Sequence, residues 1–356
     1  MKKIPFRQCI AAIMLVILSC SAQKTYKVAS PSKNNEVTFS LTKTGQPQYT
    51  LTSGGKKVLE PSLMGFEFDG LPKMTDGFRV LSTEKNTVDS TWEQPWGEFK
   101  KIKDNHNELT IHLEETGGQK RKMDIIFRVF NDGAGFRYSF PRQPNLNQVK
   151  ISNELTQFVF PADENVWWIP VHRENSYYES HYRKTAMSKT DTINTPATFE
   201  TKSGLFLALH EASLTDYASM TLLKGKGNTY TSELVPWADG TKVYAQAPFA
   251  TPWRTVIVGK KPGDLVTSTL MLNLNEPSKI SDTSWIGPSK YIGIWWGMHL
   301  EKFSWGQGPK HGATTKITKE YIDFAAKHGL NGVLVEGWNV GWDGDWTADG
   351  RAFSFT

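Results

Sequence analysis

Toward its C-terminal end the chain carries a stretch whose residue types suit sugar binding, GVLVEGWNVGW, residues 332–342. A short β-branched run stops at Glu336. Aromatic and amide residues follow on the predicted loop: Trp338, Asn339 and Trp342. Sugars present apolar C–H faces and outward hydroxyls, so a site for them needs flat aromatic walls with amide or carboxylate partners. We predict that these four residues bind substrate. The alternatives are a structural role for Glu336 in ordering the loop and core packing for the tryptophans.

Tryptophan is concentrated in the same part of the chain, which favours the sugar-binding interpretation. The chain has 13 tryptophans, and those of its C-terminal part are Trp295, Trp296, Trp305, Trp338, Trp342 and Trp346. A second aromatic stretch at residues 177–182 contains Glu179 and His181. This stretch could line a sugar cleft, but the interpretation we favour is a polar loop of the sandwich that is rich in aromatic residues.

Several other kinds of chemistry are excluded by what the sequence lacks. It shows no Ser-His-Asp order, phosphate-binding loop or dinucleotide fingerprint. Both cysteines, Cys9 and Cys20, lie close to the N-terminus, so we expect neither a disulfide nor a thiolate metal site in the folded part. The formal net charge of +5 is not accompanied by a basic cluster, which argues against a nucleic-acid partner.

The N-terminal segment, residues 1–22, has the features of a secretory signal peptide. Two lysines precede an apolar run that is too short to span a membrane stably, and small residues follow it. Cleavage after Ala22 would release a free periplasmic protein. Cleavage before Cys20, at a sequence that is similar to a bacterial lipoprotein box, would give an outer-membrane lipoprotein with a lipid anchor at Cys20. Both forms remain open, and we expect no other membrane association.

Most of the chain, from about residue 26 to residue 275, shows apolar residues with a period of two. Turn signals separate the alternating stretches, and the helical period is almost absent, which together predict a large antiparallel β-sandwich. A hairpin is predicted around residues 115–118. The clearest alternating stretches are residues 37–42, 49–52, 109–113, 123–130, 136–140, 204–209 and 254–258.

The pattern changes after residue 275, where a βαβ unit is predicted. Residues 290–296 form a buried type of strand, a helix begins at about residues 314–316, and residues 333–335 form the second strand. Lys327 and His328 suit the end of the helix, and Gly329 suits the position just after it. Strand, helix and strand in this order are the building block of a parallel (β/α)8 barrel, which takes about 250 residues. The stretch from residue 290 to residue 356 has room for only two of its strands.

Four stretches resemble glycoside hydrolase family 97, whose members include secreted bacterial α-glucosidases and α-galactosidases. The stretches are TWEQPWGE (residues 91–98), WWIPVHRENSYYESHY (167–182), TPATFETKSGLFLALHEASLTDYASMTL (195–222) and YIDFAAKHGLNGVLVEGWNVGWDGDW (321–346). After the signal peptide predicted at residues 1–22, the resemblance implies an N-terminal β-super-sandwich of antiparallel strands at residues 23–280. The first strands and helix of an incomplete (β/α)8 TIM barrel follow at residues 281–356.

The resemblance also implies an active-site Ca²⁺ held by carboxylates, one of which comes from the sandwich. The position here that matches this ligand is Glu211, in the stretch LHEASL. Calcium is a hard cation that takes six to eight oxygen ligands, so one glutamate cannot hold it alone. The remaining ligands, the general acid and the base or nucleophile are expected beyond Thr356.

The function predicted from these stretches is that of a calcium-dependent α-glucosidase acting on α-linked, starch-derived oligosaccharides. The chain itself is expected to be inactive, because its catalytic pair is expected elsewhere. A retaining α-galactosidase of the same family is one alternative, and a secreted carbohydrate-binding sandwich protein without catalysis is another. Neither the sugar preference nor the oligomeric state follows from the sequence.

Overall fold

The computed structural model describes residues 23–171 and 180–335. The predictions for the signal segment with Cys20, for residues 177–179 and for the loop from Glu336 onward fall outside the described residues. Within the described ranges, no helix combines the length and apolar character needed to cross a membrane. The chain divides into two compact units, Met1–Gln94 with Lys101–Pro277, and Pro95–Lys100 with Ser278–Thr356.

Strict alternation of side chains produces most strands of the first unit. In the strand Pro47–Ser53, for example, buried and half-buried residues alternate along the whole length. Successive side chains of a strand point to opposite faces, so this pattern leaves one face apolar and the other in contact with solvent. The same pattern occurs in Lys122–Phe130, and the predicted hairpin before this strand is confirmed by its antiparallel pairing with Lys101–Glu115.

A seven-stranded antiparallel sheet forms one layer of this unit, in the order β1-β2-β3-β4-β11-β17-β16. Its strands are β1 (Thr25–Ala29), β2 (Asn35–Leu41), β3 (Pro47–Ser53), β4 (Lys56–Leu63), β11 (Gln157–Val159), β16 (Met220–Lys224) and β17 (Thr229–Leu234). A three-stranded sheet with the order β18-β10-β5 accompanies it. Its strands are β5 (Phe66–Phe68), β10 (Gln148–Glu154) and β18 (Val243–Gln246).

The other layer is a ten-stranded sheet, in which β13-β12-β14-β15-β20-β9-β8-β7-β6 are consecutive neighbours and β19 pairs with β9. Its strands are β6 (Phe78–Glu93), β7 (Lys101–Glu115), β8 (Lys122–Phe130), β9 (Gly133–Phe140), β12 (Asn165–Trp168), β13 (Arg183–Ala186), β14 (Ala197–Glu200), β15 (Phe206–Ala212), β19 (Phe249–Ala250) and β20 (Trp253–Gly259). Single 3₁₀ turns occur at Pro144–Leu146 and Met187–Lys189.

Aromatic side chains join the two large sheets at the centre of the core. The ring of Phe127 on β8 lies 6.2 Å from the rings of both Phe39 and Tyr49 on the facing sheet. The ring of Tyr49 also lies 4.7 Å from that of Phe136 on β9. These contacts confirm the predicted antiparallel β-sandwich, since they connect the inner faces of two sheets that share no hydrogen-bonded strand.

Two short helices cover part of the opposite face of the ten-stranded sheet. They are α1 (Pro262–Val266) and α2 (Leu270–Asn273), which follow β20 directly. Leu270 and Leu274 pack there with Trp253 and Ile257, forming a smaller buried cluster apart from the main core. Strand β20 is therefore covered on both faces, and all of its residues are buried.

The second unit contains the predicted βαβ element. It comprises β21 (Tyr291–Gly293), α3 (Trp295–His299), α4 (Thr315–Lys327) and β22 (Gly332–Leu334), and the two strands pair in parallel. The hydroxyl of Thr314 accepts a hydrogen bond from the backbone N–H of Ile317 and so caps α4. Gly329 follows the helix with a φ of 64°, a conformation that glycine adopts without steric cost. The predicted helix and its end signals are confirmed.

One prediction about this unit is partly wrong. The apolar run at residues 290–296 was expected to be a single strand, but the strand ends at Gly293 and Trp295 begins the short helix α3. A short apolar run has the same composition whether it forms a buried strand or a buried helical turn, so periodicity alone could not place this boundary.

Candidate functional site

Glu211 lies at the end of β15, opposite Arg254 in the register of the β15–β20 pair. Both side chains point into the sandwich. Leu207 and Leu209 precede Glu211 on the same face of β15, and they belong to the main core, as do Val256 and Val258 on the matching face of β20. Glu211 is only 6% exposed and Arg254 is fully buried. The site is thus an ionic group set into an apolar layer.

The carboxylate of Glu211 is oriented by two hydrogen bonds. The backbone N–H of Met220 donates to its Oε1 at 2.9 Å, and Nη1 of Arg254 donates to its Oε2 at 2.6 Å. Met220 begins β16 in the facing sheet, so the carboxylate is held between the two layers. Hydrogen bonds that involve two ionised groups are short and strong, and the Arg254 contact belongs to this class.

Arg254 is shared between two carboxylates. Its Nε and Nη2 donate to Oε1 and Oε2 of Glu154 at 2.8 and 2.6 Å, in a two-pronged contact that matches the planar guanidinium to the planar carboxylate. Its remaining nitrogen serves Glu211. The three residues form a fully or almost fully buried triad, which we call the Glu154–Arg254–Glu211 triad.

Glu154 has further donors around it. The hydroxyl of Thr156 donates to its Oε1 at 2.9 Å, and the hydroxyl of Tyr217 donates to its Oε2 at 3.1 Å. Tyr138 shares a 2.6 Å hydrogen bond with Thr156. Burial of ionised groups is costly unless all of them are paired and hydrogen-bonded, so this set of donors explains how Glu154 is tolerated inside the sandwich.

The charges of the triad do not balance, because two carboxylates face one guanidinium. Burial raises the pKa of the Glu211 carboxyl, although Arg254 and the Met220 N–H act in the opposite direction. Burial also raises the pKa of the Tyr217 hydroxyl, with the charge of Glu154 adding to the effect. When all three groups are ionised, the triad carries one negative charge in excess.

The same end of the sheet carries further polar residues. The ring nitrogen Nδ1 of His210 lies 3.0 Å from the hydroxyl of Thr195, and burial lowers the pKa of this histidine. The side-chain amide of Asn194 donates to the carbonyl of Pro170 at 3.0 Å. Tyr182, from the second aromatic stretch, is 60% exposed. These contacts place the ends of β12, β14 and β15 side by side.

A loop that follows Glu211 has unusual backbone geometry and borders a cleft. Ser213 and Asp216 have φ values of 55° and 50°, in the left-handed region that few residues other than glycine adopt. Asp216 and Tyr217 line a cleft of about 920 Å³, together with Tyr244 and Phe249. Tyr217 thus connects the wall of this cleft to the triad through its bond to Glu154.

Glu211 fits a calcium site as one ligand but not as the whole site. Its oxygens are the hard donors that Ca²⁺ prefers. Within the described ranges, however, no group of three or more His, Cys, Asp or Glu side chains could hold a metal ion. The other predicted residues, Glu336, Trp338, Asn339 and Trp342, lie outside the described residues. The metal role of Glu211 and the substrate roles of these four stay predictions.

Sequence reasoning missed Arg254 and Glu154, the partners of Glu211. A signal for Arg254 was present, because it is a charged residue inside the apolar run Trp253–Gly259. A charged residue in such a run is almost always paired when it is buried. Glu154 carried no comparable signal, since it ends a strand in which buried, exposed and half-buried residues are mixed.

Two family models match the chain. The model described as glycosyl-hydrolase 97 N-terminal matches residues 28–277, and the model described as glycoside hydrolase 97 matches residues 295–356. Together they cover both units.

Two curated relatives match this chain at 25% and 27% identity. A retaining α-galactosidase of Bacteroides thetaiotaomicron is 25% identical in an alignment 382 residues long, which covers 97% of this chain and 54% of the relative. A probable retaining α-galactosidase of Streptomyces bingchenggensis is 27% identical over 92% of this chain and 49% of the relative. The chain thus spans about half the length of the curated relatives it matches.

Some solved structures are more similar to this chain than these curated relatives are. A glycoside hydrolase family 97 enzyme from Pseudoalteromonas sp. strain K8, in complex with acarbose, is 42% identical with a TM-score of 0.84, over 93% of this chain and 50% of that chain. A variant from the same source in complex with panose gives the same identity, TM-score and coverage. A β-arabinopyranosidase, at 24% identity and a TM-score of 0.77, shares the fold.

Proposed function

Because the chain belongs to glycoside hydrolase family 97, we propose that it takes part in the hydrolysis of α-linked glucosides. The observation that carries this choice is the 42% identity to the Pseudoalteromonas enzyme, whose structures hold acarbose and panose. Both compounds are oligosaccharides built from α-linked glucose or glucose-like rings. The curated α-galactosidases are 25% and 27% identical, so they support this substrate class less strongly than glucosides.

In this proposal the four residues Glu336, Trp338, Asn339 and Trp342 bind the sugar. The tryptophans would offer flat apolar surfaces to the C–H faces of the rings, and the carboxylate and amide would bind hydroxyls. Trp338 and Trp342 are four positions apart, and Gly337 and Gly341, which have no side chains, lie between Glu336 and Trp342 in the sequence. Glycosidic hydrolysis further needs an acid and a base or nucleophile, which we assign to no described residue.

The proposal also includes Ca²⁺ with Glu211 as one of its ligands. Two features of the site support it, namely the surplus negative charge of the triad and the hard oxygen donors of a carboxylate at the end of a strand. A bound Ca²⁺ would supply positive charge to stabilise oxygen atoms that become negative during hydrolysis. The described residues contribute by holding the Glu211 carboxylate in one orientation.

Two alternatives have observations in their favour. The names of the curated relatives favour a retaining α-galactosidase. The concentration of tryptophan in the C-terminal part of the chain favours a secreted binding protein that holds carbohydrate without cleaving it, because sugar binding uses aromatic surfaces whether or not cleavage follows. Export to the periplasm, with or without a lipid on Cys20, is part of the proposal in either case. Mass spectrometry of the mature N-terminus would distinguish the free form from the lipidated one.

Tryptophan fluorescence of the purified chain, titrated with panose and with the α-galactoside melibiose, tests the substrate class. We expect saturable quenching or enhancement with panose and a flat response with melibiose. The variants Trp338→Ala and Trp342→Ala should each weaken panose binding at least tenfold. Trp285→Ala, which removes a tryptophan that is 74% exposed in the other part of the same unit, serves as the matched control.

The possible results separate the three functions. Tighter binding of melibiose than of panose would favour the α-galactosidase. Panose binding that is equally tight in Trp338→Ala, Trp342→Ala and the unaltered chain would show that these tryptophans do not bind substrate. Release of p-nitrophenol from the aryl α-glucoside, compared with the aryl α-galactoside under the same conditions, distinguishes an enzyme from a binding protein. A flat titration with both sugars would overturn the proposed function.

A further inference from the structure

We propose that Arg254, anchored by Glu154, is a positioning residue that holds the Glu211 carboxylate ready for a cation at the end of β15. This inference rests on the proposed function, because it takes Glu211 as a cation ligand. It adds a division of labour within the Glu154–Arg254–Glu211 triad, in which one carboxylate is an anchor and the other is the ligand.

The hydrogen bonds of the two carboxylates show this division. An ionised carboxylate has about four acceptor positions. Described residues fill all of them on Glu154, where each oxygen receives one nitrogen of Arg254 and one hydroxyl, from Thr156 or Tyr217. Each oxygen of Glu211 receives one donor from the described residues, Met220 or Arg254. Among the described residues, Glu154 is therefore saturated, whereas each oxygen of Glu211 keeps an acceptor position that none of them fills.

The geometry of the guanidinium explains why the orientation is transmitted. Arg254 presents its nitrogens in a rigid plane, and two of them are fixed by Glu154. The third nitrogen can then point in only one direction, and Glu211 Oε2 lies there at 2.6 Å. Lysine would keep the charge in this position but lose the rigid fork, so it could not link the two carboxylates in the same way.

Charge supplies the second, independent argument. Within the described ranges, both carboxylates of the triad, Glu154 and Glu211, form ion pairs with the same arginine, Arg254. One negative charge is left over in a buried site, where it is costly without a partner. In the part of the chain that the structure describes, the free acceptor positions and the surplus charge belong to the same residue, Glu211, which is the last but one of β15. A divalent cation bound at Glu211 would occupy the free acceptor positions and neutralise the surplus charge.

A second buried arginine shows what a purely structural pair looks like. Arg121 is as buried as Arg254, and its Nε and Nη2 bind the two oxygens of Glu115 at 2.8 and 2.6 Å. Its other contacts are the backbone carbonyls of Pro72 and Lys73, at 2.6 and 3.1 Å, and not a second carboxylate. Arg121 therefore balances one charge with one charge, and it provides a matched control for Arg254.

The experiment compares Arg254→Lys and Glu154→Gln with Arg121→Lys in the full chain. Cation binding is measured with Tb³⁺, through emission sensitised by tryptophan excitation and through competition by Ca²⁺. Orientation of Glu211 is measured by amide hydrogen exchange at Met220, whose N–H donates to Glu211 Oε1. Exchange rates are corrected with amides of β8, which report global opening.

We expect Arg254→Lys to weaken Tb³⁺ binding at least tenfold and to speed exchange at Met220 at least tenfold beyond the change in β8. Glu154→Gln, which keeps the shape of the anchor, should give the same effects in weaker form and covers the case in which the lysine variant does not fold. Arg121→Lys should change neither quantity after the correction. Equal effects of the Arg254 and Arg121 variants would overturn the positioning role.

Failure of the proposed calcium site is visible separately. If the unaltered chain gives no Tb³⁺ signal that Ca²⁺ displaces, or if Glu211→Gln gives the same signal as the unaltered chain, this chain holds no cation through Glu211, and that part of the proposed function is wrong for this chain. Exchange at Met220 still decides whether Arg254 orients Glu211. An unchanged Met220 rate in Arg254→Lys would refute the positioning role whatever the cation result.

Discussion

The sandwich buries its large apolar side chains, whereas the βαβ unit leaves several of its own exposed to solvent. In the sandwich, Phe127 is fully buried because a second sheet covers the inner face of its own sheet. In the βαβ unit, Ile322 and Phe324 on α4 are each 48% exposed, and Leu334 and Val335 at the end of β22 are 36% and 45% exposed. An antiparallel sheet needs one covered face, whereas a parallel strand needs cover on both faces.

The comparison teaches which forces maintain each unit. The sandwich is closed by long-range contacts between two large sheets and carries most of the buried apolar residues of the part of the chain that the structure describes. The βαβ unit relies on local signals, namely the Thr314 cap, the glycine after α4 and one parallel strand pair. Local signals contribute tenths to a few kcal/mol each, far less than a packed core.

The largest expected difference concerns independent folding. A chain of residues 23–277 should retain the cooperative unfolding transition of the whole, because the main core lies within this range. A chain of residues 278–335 should show no cooperative transition by circular dichroism or calorimetry, since few of its apolar residues are buried. Cooperative unfolding of the isolated βαβ unit would show that its local signals suffice for stability.

Truncation of one phenylalanine in each unit gives the next largest effect. Phe127→Ala should lower the free energy of unfolding of the sandwich by about 3–5 kcal/mol, because it removes a fully buried ring from between the two sheets. Phe324→Ala, at a 48% exposed position, should change stability by less than about 0.5 kcal/mol. Urea denaturation measures both values. Similar losses in the two variants would contradict the packing difference described here.

Alkaline pH should reveal a buried tyrosine in the sandwich. Burial raises the pKa of Tyr230 from 10.0 to about 12. Between these values the unfolded tyrosine ionises while the folded one keeps its proton, so stability falls as pH rises from 10 to 12, by about 2–3 kcal/mol for this group. Tyr230→Phe should therefore make the decline shallower, whereas Tyr291→Phe, at a 62% exposed tyrosine, should leave the same profile.

Denaturation at several pH values between 9 and 12 would measure these profiles. Tyr230 also shares a 2.6 Å hydrogen bond with the hydroxyl of Thr190, so the phenylalanine variant should lose about 1 kcal/mol near neutral pH as well. A decline of unchanged steepness in Tyr230→Phe would show that this tyrosine does not contribute to the alkaline instability.

A small and local effect is expected at the helix cap of the βαβ unit. Thr314→Ala removes the acceptor for the N–H of Ile317 and should destabilise α4 by about 1 kcal/mol. Thr314→Ser keeps the hydroxyl and should stay close to the original. Amide exchange across α4 reports the change, which should be confined to the helix and absent from the strands of the sandwich. An unaltered exchange rate in Thr314→Ala would show that the cap does not stabilise α4.

Sequence alone was sufficient where structure depends on neighbouring residues. Period-two alternation predicted the strands, glycines predicted the hairpin before β8, and Thr314 with Gly329 marked the ends of α4. The four stretches that resemble glycoside hydrolase family 97 likewise predicted the family that the comparisons show. Periodicity, capping and turn chemistry act over a few residues, so they leave a readable local record.

Only the tertiary structure decided what surrounds Glu211. Sequence reasoning placed this glutamate at a strand end, but it could not reveal that Glu211 meets Arg254, 43 positions away, or that Arg254 meets Glu154, 100 positions away. Their meeting depends on the pairing of β15 with β20 and on the contact between layers. Strand order is a property of the whole packed chain, and a buried charge acquires its partners only when the layers close, so no local pattern encodes the triad.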